Sequence, residues 1–327
     1  MKMKTILPIA ALLGLVCTCA LPATPGYELT ERIALGAVTK WDYAAIDQPR
    51  QRLYVTRGDH VDVVQLPAGK LIATIPNTQG VHGVAFANDL KLGFTSNGKS
   101  NSVTVFDLET MKPTAEVKLT GKNPDAILYE PTVRKLYVFN GGSANVDVID
   151  AARLQVVHTL AATGRPEFAV SDGQGKVFFN IEDNAGINVI DTATDKLVHR
   201  WKLDDCDGPS GLAMDVRNAR LFSACANGMA VVTDAATGRR VSQFPVGEHP
   251  DAVIYDAETR TVLTSGGGGS GSLTITTQDD ANHYTARGTL PTLKGAKTMA
   301  MDAVTKTVYL PTAVGEQFVL LVAKRKD

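Results

Sequence analysis

Seven self-similar segments of about 42 residues, each holding four short β-branched runs, predict an all-β fold: a seven-bladed β-propeller of four-stranded antiparallel blades. The segments align on Asp42-Tyr-Ala-Ala-Ile-Asp, His82-Gly-Val-Ala-Phe-Ala, Asp125-Ala-Ile-Leu-Tyr-Glu, Glu167-Phe-Ala-Val-Ser-Asp, Ser210-Gly-Leu-Ala-Met-Asp, Asp251-Ala-Val-Ile-Tyr-Asp and Lys297-Thr-Met-Ala-Met-Asp. Successive anchors lie 40, 43, 42, 43, 41 and 46 residues apart, which suits propeller blades and excludes shorter helical or leucine-rich repeats.

The third segment shows the order of strands within a blade. Ala126-Ile-Leu-Tyr is the innermost run and turns at Glu130-Pro-Thr-Val; Lys135-Leu-Tyr-Val-Phe follows and turns at Asn140-Gly-Gly-Ser-Ala; Val146-Asp-Val-Ile-Asp and Val156-Val-His-Thr-Leu complete it. Runs this short, bounded by Gly, Asn, Asp and Pro, read as strands, and no stretch carries an apolar period of 3.6 long enough for a helix. The turns after the third strands, at Asp191 and Asp234, begin with a carboxylate placed to accept from backbone N–H groups just ahead. The last segment has room for only three strands, so Tyr27-Glu-Leu-Thr-Glu-Arg-Ile-Ala-Leu-Gly is expected to supply its outermost one and close the ring without an exposed edge.

Residues 1–20 stand apart. Lys2 and Lys4 precede the apolar run from Ile6 to Val16, with small residues at Thr18 and Ala20, the pattern of a cleaved export leader too short to span a bilayer. Cys17 and Cys19 lack the Leu-small-small approach of a lipidation site. A periplasmic or secreted protein, a single domain over 27–327 with no transmembrane segment, is expected. Only Cys206 and Cys225 then remain, and two cysteines in an exported chain read as one disulfide; neither has a second Cys or a His at metal-ligand spacing.

Composition removes further classes. The 33 Lys and Arg residues against 34 Asp and Glu leave no basic footprint for nucleic acid, and 44% apolar residues exceed what a disordered chain carries.

Leu53-Tyr-Val-Thr, Leu136-Tyr-Val-Phe-Asn, Val148-Ile-Asp and Val189-Ile-Asp-Thr-Ala-Thr-Asp-Lys-Leu-Val resemble the YVTN-repeat, YncE-like exported β-propellers of bacteria over residues 27 to 327. That resemblance implies a periplasmic seven-bladed propeller in a family of largely uncharacterised proteins and binding platforms. The sixth segment departs from the repeat, with Ser265-Gly-Gly-Gly-Gly-Ser-Gly-Ser where an Asn-Gly-Ser turn is expected; the glycine run reads as a mobile tip.

Residues that begin innermost strands line a propeller's channel, so Asp42, His82, Asp125, Glu167, Ser210, Asp251 and Lys297 are expected to ring one mouth as a ligand-binding site. Trp41, beside Asp42, is placed to stack on a ligand. A divalent metal ion is a sharper version of that site, with Asp125, Glu167, Asp251 and His82 as ligands, because carboxylate and imidazole suit Ca, Mn or Zn. His60 and His249 lie on connections to the same face and read as surface histidines.

Gly93-Phe-Thr-Ser-Asn-Gly98-Lys99-Ser100 matches a phosphate loop in letters, but Val103-Thr-Val-Phe-Asp continues it as a strand instead of a helix, so nucleotide binding is not expected. There is no Gly-x-Ser-x-Gly elbow and no Cys beside a His. Single-stranded nucleic-acid binding, known among YncE-like proteins, wants a basic groove interleaved with aromatics, whereas Tyr54, Tyr137, Phe178 and Tyr309 recur at one strand position and read as core. The reading is a monomeric, non-enzymatic module that binds a small polar ligand or a periplasmic protein at its funnel face. The alternatives are a lactonase-like, metal-assisted hydrolase using the channel carboxylates with His82 as base, and a structural scaffold.

Overall fold

A computed structural model describes Met1 and residues 26–326, so the leader read from Lys2, Lys4, Cys17, Cys19 and Ala20 lies outside the described residues. The chain forms seven four-stranded antiparallel sheets, six of them consecutive in sequence. Their innermost strands are Ala44–Asp47, Val81–Ala87, Pro124–Glu130, Pro166–Ser171, Pro209–Asp215 and Pro250–Asp256, for blades one to six. Blade seven joins Ala300–Met301, Val308–Val314 and Gln317–Arg325 to the N-terminal strand Tyr27–Ala37, which pairs antiparallel outside the C-terminal strand and closes the ring.

Alternation of side chains explains where the core lies. Second and third strands are buried on both faces, as in Lys135–Asn140, where Leu136, Tyr137, Val138 and Phe139 are all inaccessible. Tyr137 and Phe139 of blade three pack with Val177 and Phe179 of blade four, and the Phe139 and Phe179 rings lie 5.0 Å apart. The apolar layers therefore sit between blades, while fourth strands such as Gln155–Ala161 turn polar faces to solvent. Asp150 and Asp234 each accept from the backbone N–H groups two and three residues ahead, and Asp191 from Thr194 N–H, so the predicted turn chemistry is present.

Cys206, in the connection leading into blade five, is bonded to Cys225 at the end of that blade's second strand. Gly93 and Lys99 belong to a strand hairpin, Leu92–Asn97 to Ser102–Asp107, which removes the phosphate-loop reading. No helix among the described residues is long and apolar enough to cross a membrane.

The glycine run of blade six is tied to its neighbours by backbone hydrogen bonds. Gly267 and Gly268 N–H donate to the His249 and Glu248 carbonyls, and Gly295 N–H donates back to Gly267. A Cβ at Gly267 would stand 2.7 Å from Lys297 Cβ, and one at Gly271, where φ is +85°, 2.1 Å from the Leu293 carbonyl oxygen. The run lets blade six pack closely on the start of blade seven, a long-range demand that local composition hides.

Candidate functional site

Four of the innermost strands begin with proline, at Pro124, Pro166, Pro209 and Pro250, where a missing N–H costs no ladder bond. The register then shifts within the next three residues in each, as it also does after Val81. Such bulges bend the strand and re-aim the side chain beside them. Here the re-aimed residue is the anchor. The fifth residue of several second strands fixes the neighbouring anchor from behind: Ser96 Oγ donates to the Asp125 carbonyl, Asn180 Nδ2 to the Ser210 carbonyl at 3.0 Å, and Ser265 Oγ to the Lys297 carbonyl. Each bond crosses to the next blade.

The side chains of the ring sort into groups. His82 Nδ1–H donates to Asp42 Oδ2 at 2.6 Å and lies 3.8 Å from Asp125 Oδ1. Lys297 Nζ donates to Asp251 Oδ2 at 2.6 Å and stands 3.6 Å from Asp42 Oδ1. Glu167 meets Arg165 at 3.3 Å, and the same guanidinium reaches Glu182 at 2.9 Å. Ser210 leaves the group, because its hydroxyl donates to the Pro250 carbonyl at 3.1 Å. The metal set read from the sequence thus divides: His82 and Asp125 converge with Asp42, while Glu167 and Asp251 are held by cations.

Burial acts on these carboxyls in proportion to what compensates it. It pushes Glu167 up to about 9, with the charges of Asp125 and Glu182 adding and Arg165 opposing. It pushes Asp125 up to about 6, against the lowering pull of His82. Burial works to lower His82, but its hydrogen bond to Asp42 and the charges of Asp125 and Asp42 outweigh it and leave its pKa raised. Lys297 likewise ends raised, because Asp251 and Asp42 overcome its burial. Asp125 Oδ1 is buried without any hydrogen-bond partner among the described residues.

The residues after two anchors form a floor that the anchor pattern did not reveal. Tyr43 and Phe168 belong to blades one and four, on opposite sides of a ring of seven, yet their rings meet edge-to-face at 5.4 Å. Burial, followed by the charges of Asp125, Asp42, Glu167 and Asp251, holds the Tyr43 hydroxyl well above its usual pKa, so it stays a neutral phenol beneath the carboxylates. The only signal in the sequence was that both are large aromatics at one register position, where the other segments carry Gly83, Ala126, Gly211, Ala252 and Thr298.

Beside this ring a cavity of about 440 Å³ opens on the same face, between the hairpins of blades one and two and the connections into blades two and three. Asp42 and His82 form its inner wall, and Trp41, Asp59, Lys99 and Asn123 contribute around it. Trp41 therefore lines the cavity, with its ring packed 5.5 Å from Phe318 and its indole N–H buried without a partner among the described residues. His60 is held by Asp59 at 2.6 Å, and His249 is exposed, as expected of surface histidines.

No family model matches the chain. Over 139 residues, 41% of its length, the chain is 25% identical to antigen Lp49 of Leptospira interrogans, and the match spans 30% of that antigen. Among solved structures, a chain of Kuenenia stuttgartiensis hydrazine synthase is similar at a TM-score of 0.74 and 15% identity, covering 91% of this chain and 96% of that one. A chain of a mitotic checkpoint complex gives 0.78 and 13%, covering 100% and 99%, and the RRP9 WD40 repeats give 0.78 and 10%, covering 93% and 99%. At these identities the likeness is one of fold.

Proposed function

We propose that the protein is an exported, monomeric binding module of the YVTN-repeat, YncE-like kind, which engages a protein partner through the channel mouth and the second-to-third strand hairpins around it. The observation that carries this reading is the open cavity between blades one to three. Its inner wall is the hydrogen-bonded pair Asp42 and His82, and its rim carries exposed Lys40, Asp59, Gln79, Lys99 and Asn123, so it offers both signs of charge and amide groups to an incoming polar segment. The Tyr43–Phe168 floor supports recognition at the mouth over passage through the ring. WD40-type propellers, whose fold this chain shares, commonly bind proteins, and one structural neighbour is a component of a mitotic checkpoint complex. Export is supported by the leader in the sequence and by the Cys206–Cys225 disulfide, which suits an oxidising compartment. Binding without catalysis is the simpler use of the site, since most of its charges already neutralise one another.

A photo-crosslinking residue at Lys99, introduced in the living cell, is expected to give a discrete adduct. The same residue at Gln174, in a turn between first and second strands and so at the other end of its blade, is expected to give none. Equal adducts from both positions, or none from Lys99, would remove this reading.

A further inference from the structure

We propose that Asp42, His82 and Asp125 form a binding site for one first-row divalent metal ion, of the Zn²⁺ or Mn²⁺ class, reached from the cavity beside the channel mouth. The site is built from three different blades. One donor atom from each residue lies within 4.8 Å of the other two, with His82 Nδ1 at 2.6 Å from Asp42 Oδ2 and 3.8 Å from Asp125 Oδ1. An ion about 2.0–2.2 Å from each donor needs donors up to about 4 Å apart, so the cluster requires only a small adjustment.

An independent observation points to an occupant. The Asp125 side chain is 9% exposed, its Oδ1 has no hydrogen-bond partner among the described residues, and that oxygen is the one facing His82. A buried carboxylate oxygen without a donor is a demand for a cation. The nearest competitor is committed elsewhere: Lys297 Nζ bonds Asp251 at 2.6 Å and reaches Asp42 only at 3.6 Å, on Oδ1. Asp42 Oδ2 and His82 Nδ1 share one proton at the position an ion would take. Access is open, because the His82 and Asp42 side chains are 29% and 17% exposed and both line the cavity.

The donor chemistry selects the ion. One imidazole nitrogen with two carboxylates suits Zn²⁺, Mn²⁺ and their neighbours, leaving a coordination position toward the cavity for water or a partner's side chain. Ca²⁺ would want six or more oxygens, which these residues do not supply. The inference does not depend on the identity, or the existence, of a protein partner.

Calorimetric titration of the full chain, stripped of metal by chelator and dialysis, tests it. Zn²⁺ is expected to bind at one equivalent, with Ca²⁺ at least 100-fold weaker. His82→Ala and the near-isosteric Asp125→Asn are each expected to weaken Zn²⁺ by 30-fold or more, Ser210→Ala to change nothing, and Lys297→Met to tighten it several-fold by removing a competing cation. Co²⁺ absorption bands that vanish in His82→Ala report ligation directly, and circular dichroism shows whether each variant is folded. Zn²⁺ and Mn²⁺ both failing to bind at one equivalent, or folded His82→Ala binding as tightly as the parent, would overturn the assignment. A failed crosslink at Lys99 with intact metal binding would dismiss only the partner reading.

Discussion

Blades one to three and blades five to seven begin with anchors at the same register, yet the two sides of the ring use them oppositely. On the blade five to seven side every polar anchor is spent: Ser210 on the Pro250 carbonyl, Asp251 on Lys297, with a disulfide in blade five and a close-packed glycine segment in blade six. On the other side one imidazole faces two carboxylates, and Asp125 keeps an oxygen with no donor among the described residues. Equivalent positions in a repeat are thus paired off or left under-compensated according to which counter-charge the neighbouring blade brings.

The largest test of that contrast removes the staple. Cys206→Ser with Cys225→Ser frees a loop of 19 residues and is expected to cost about 3 kcal/mol in denaturant unfolding under the chain-entropy model. A loss confined to the blade five side would appear as faster amide exchange there, with the blade one to three strands unchanged.

Next in size is Glu167→Gln, at the seam between the two sides. A carboxyl raised in the folded state contributes its stability below the unfolded pKa and loses it as pH rises through the folded one. The parent should therefore weaken from about pH 4.5 up to about 9 on account of Glu167, and the amide variant should not. At pH 8 the variant is expected to be more stable by about 2 kcal/mol, trimmed by the imperfect fit of an amide to Arg165. A parent profile that is flat over this range would break the electrostatic account of the seam.

Lys297→Met should act in the opposite sense, since it strips the counter-charge from Asp251 and weakens Asp42's surroundings. The cost is expected at about 1–2 kcal/mol in denaturant melts, because the Lys297 side chain is 44% exposed and water screens part of the pair.

How much of this was legible depends on the range of the interactions. Strands and blades are written locally, in runs such as Lys135–Asn140 and in the anchor spacing, so seven blades and the closing strand Tyr27–Ala37 could be read directly. The members of the ring could be read too, because a channel position is a register position. Their pairing could not. Whether Asp125 meets His82 or a lysine is decided between residues about 40 apart and across the axis, where no spacing rule applies. The Tyr43–Phe168 floor escaped for the same reason. Glycines 266 to 269 misled because their freedom is used for blade packing, which composition alone does not distinguish from looseness.

The smallest expected effect is the most specific to the blade one to three side. Asp125→Asn removes a buried carboxylate that nothing bonds at Oδ1, so in the metal-free protein it should stabilise, whereas neutralising Lys297 destabilises. The sign follows from its raised pKa of about 6. Below about pH 4 the carboxyl is protonated in both the folded and the unfolded chain, and Asp and Asn differ little. Between about pH 4 and 6 the unfolded chain ionises first, so the parent loses stability while the variant does not; above 6 the difference is constant. The amide brings N–H groups of its own into a buried place, which holds the net gain at pH 8 to about 1 kcal/mol. Denaturant melts at pH 4 and pH 8 read this as a gap that opens with pH. If Asp125→Asn instead loses stability at pH 8, the carboxylate is already satisfied in the folded protein, and the contrast between the two sides of the ring disappears.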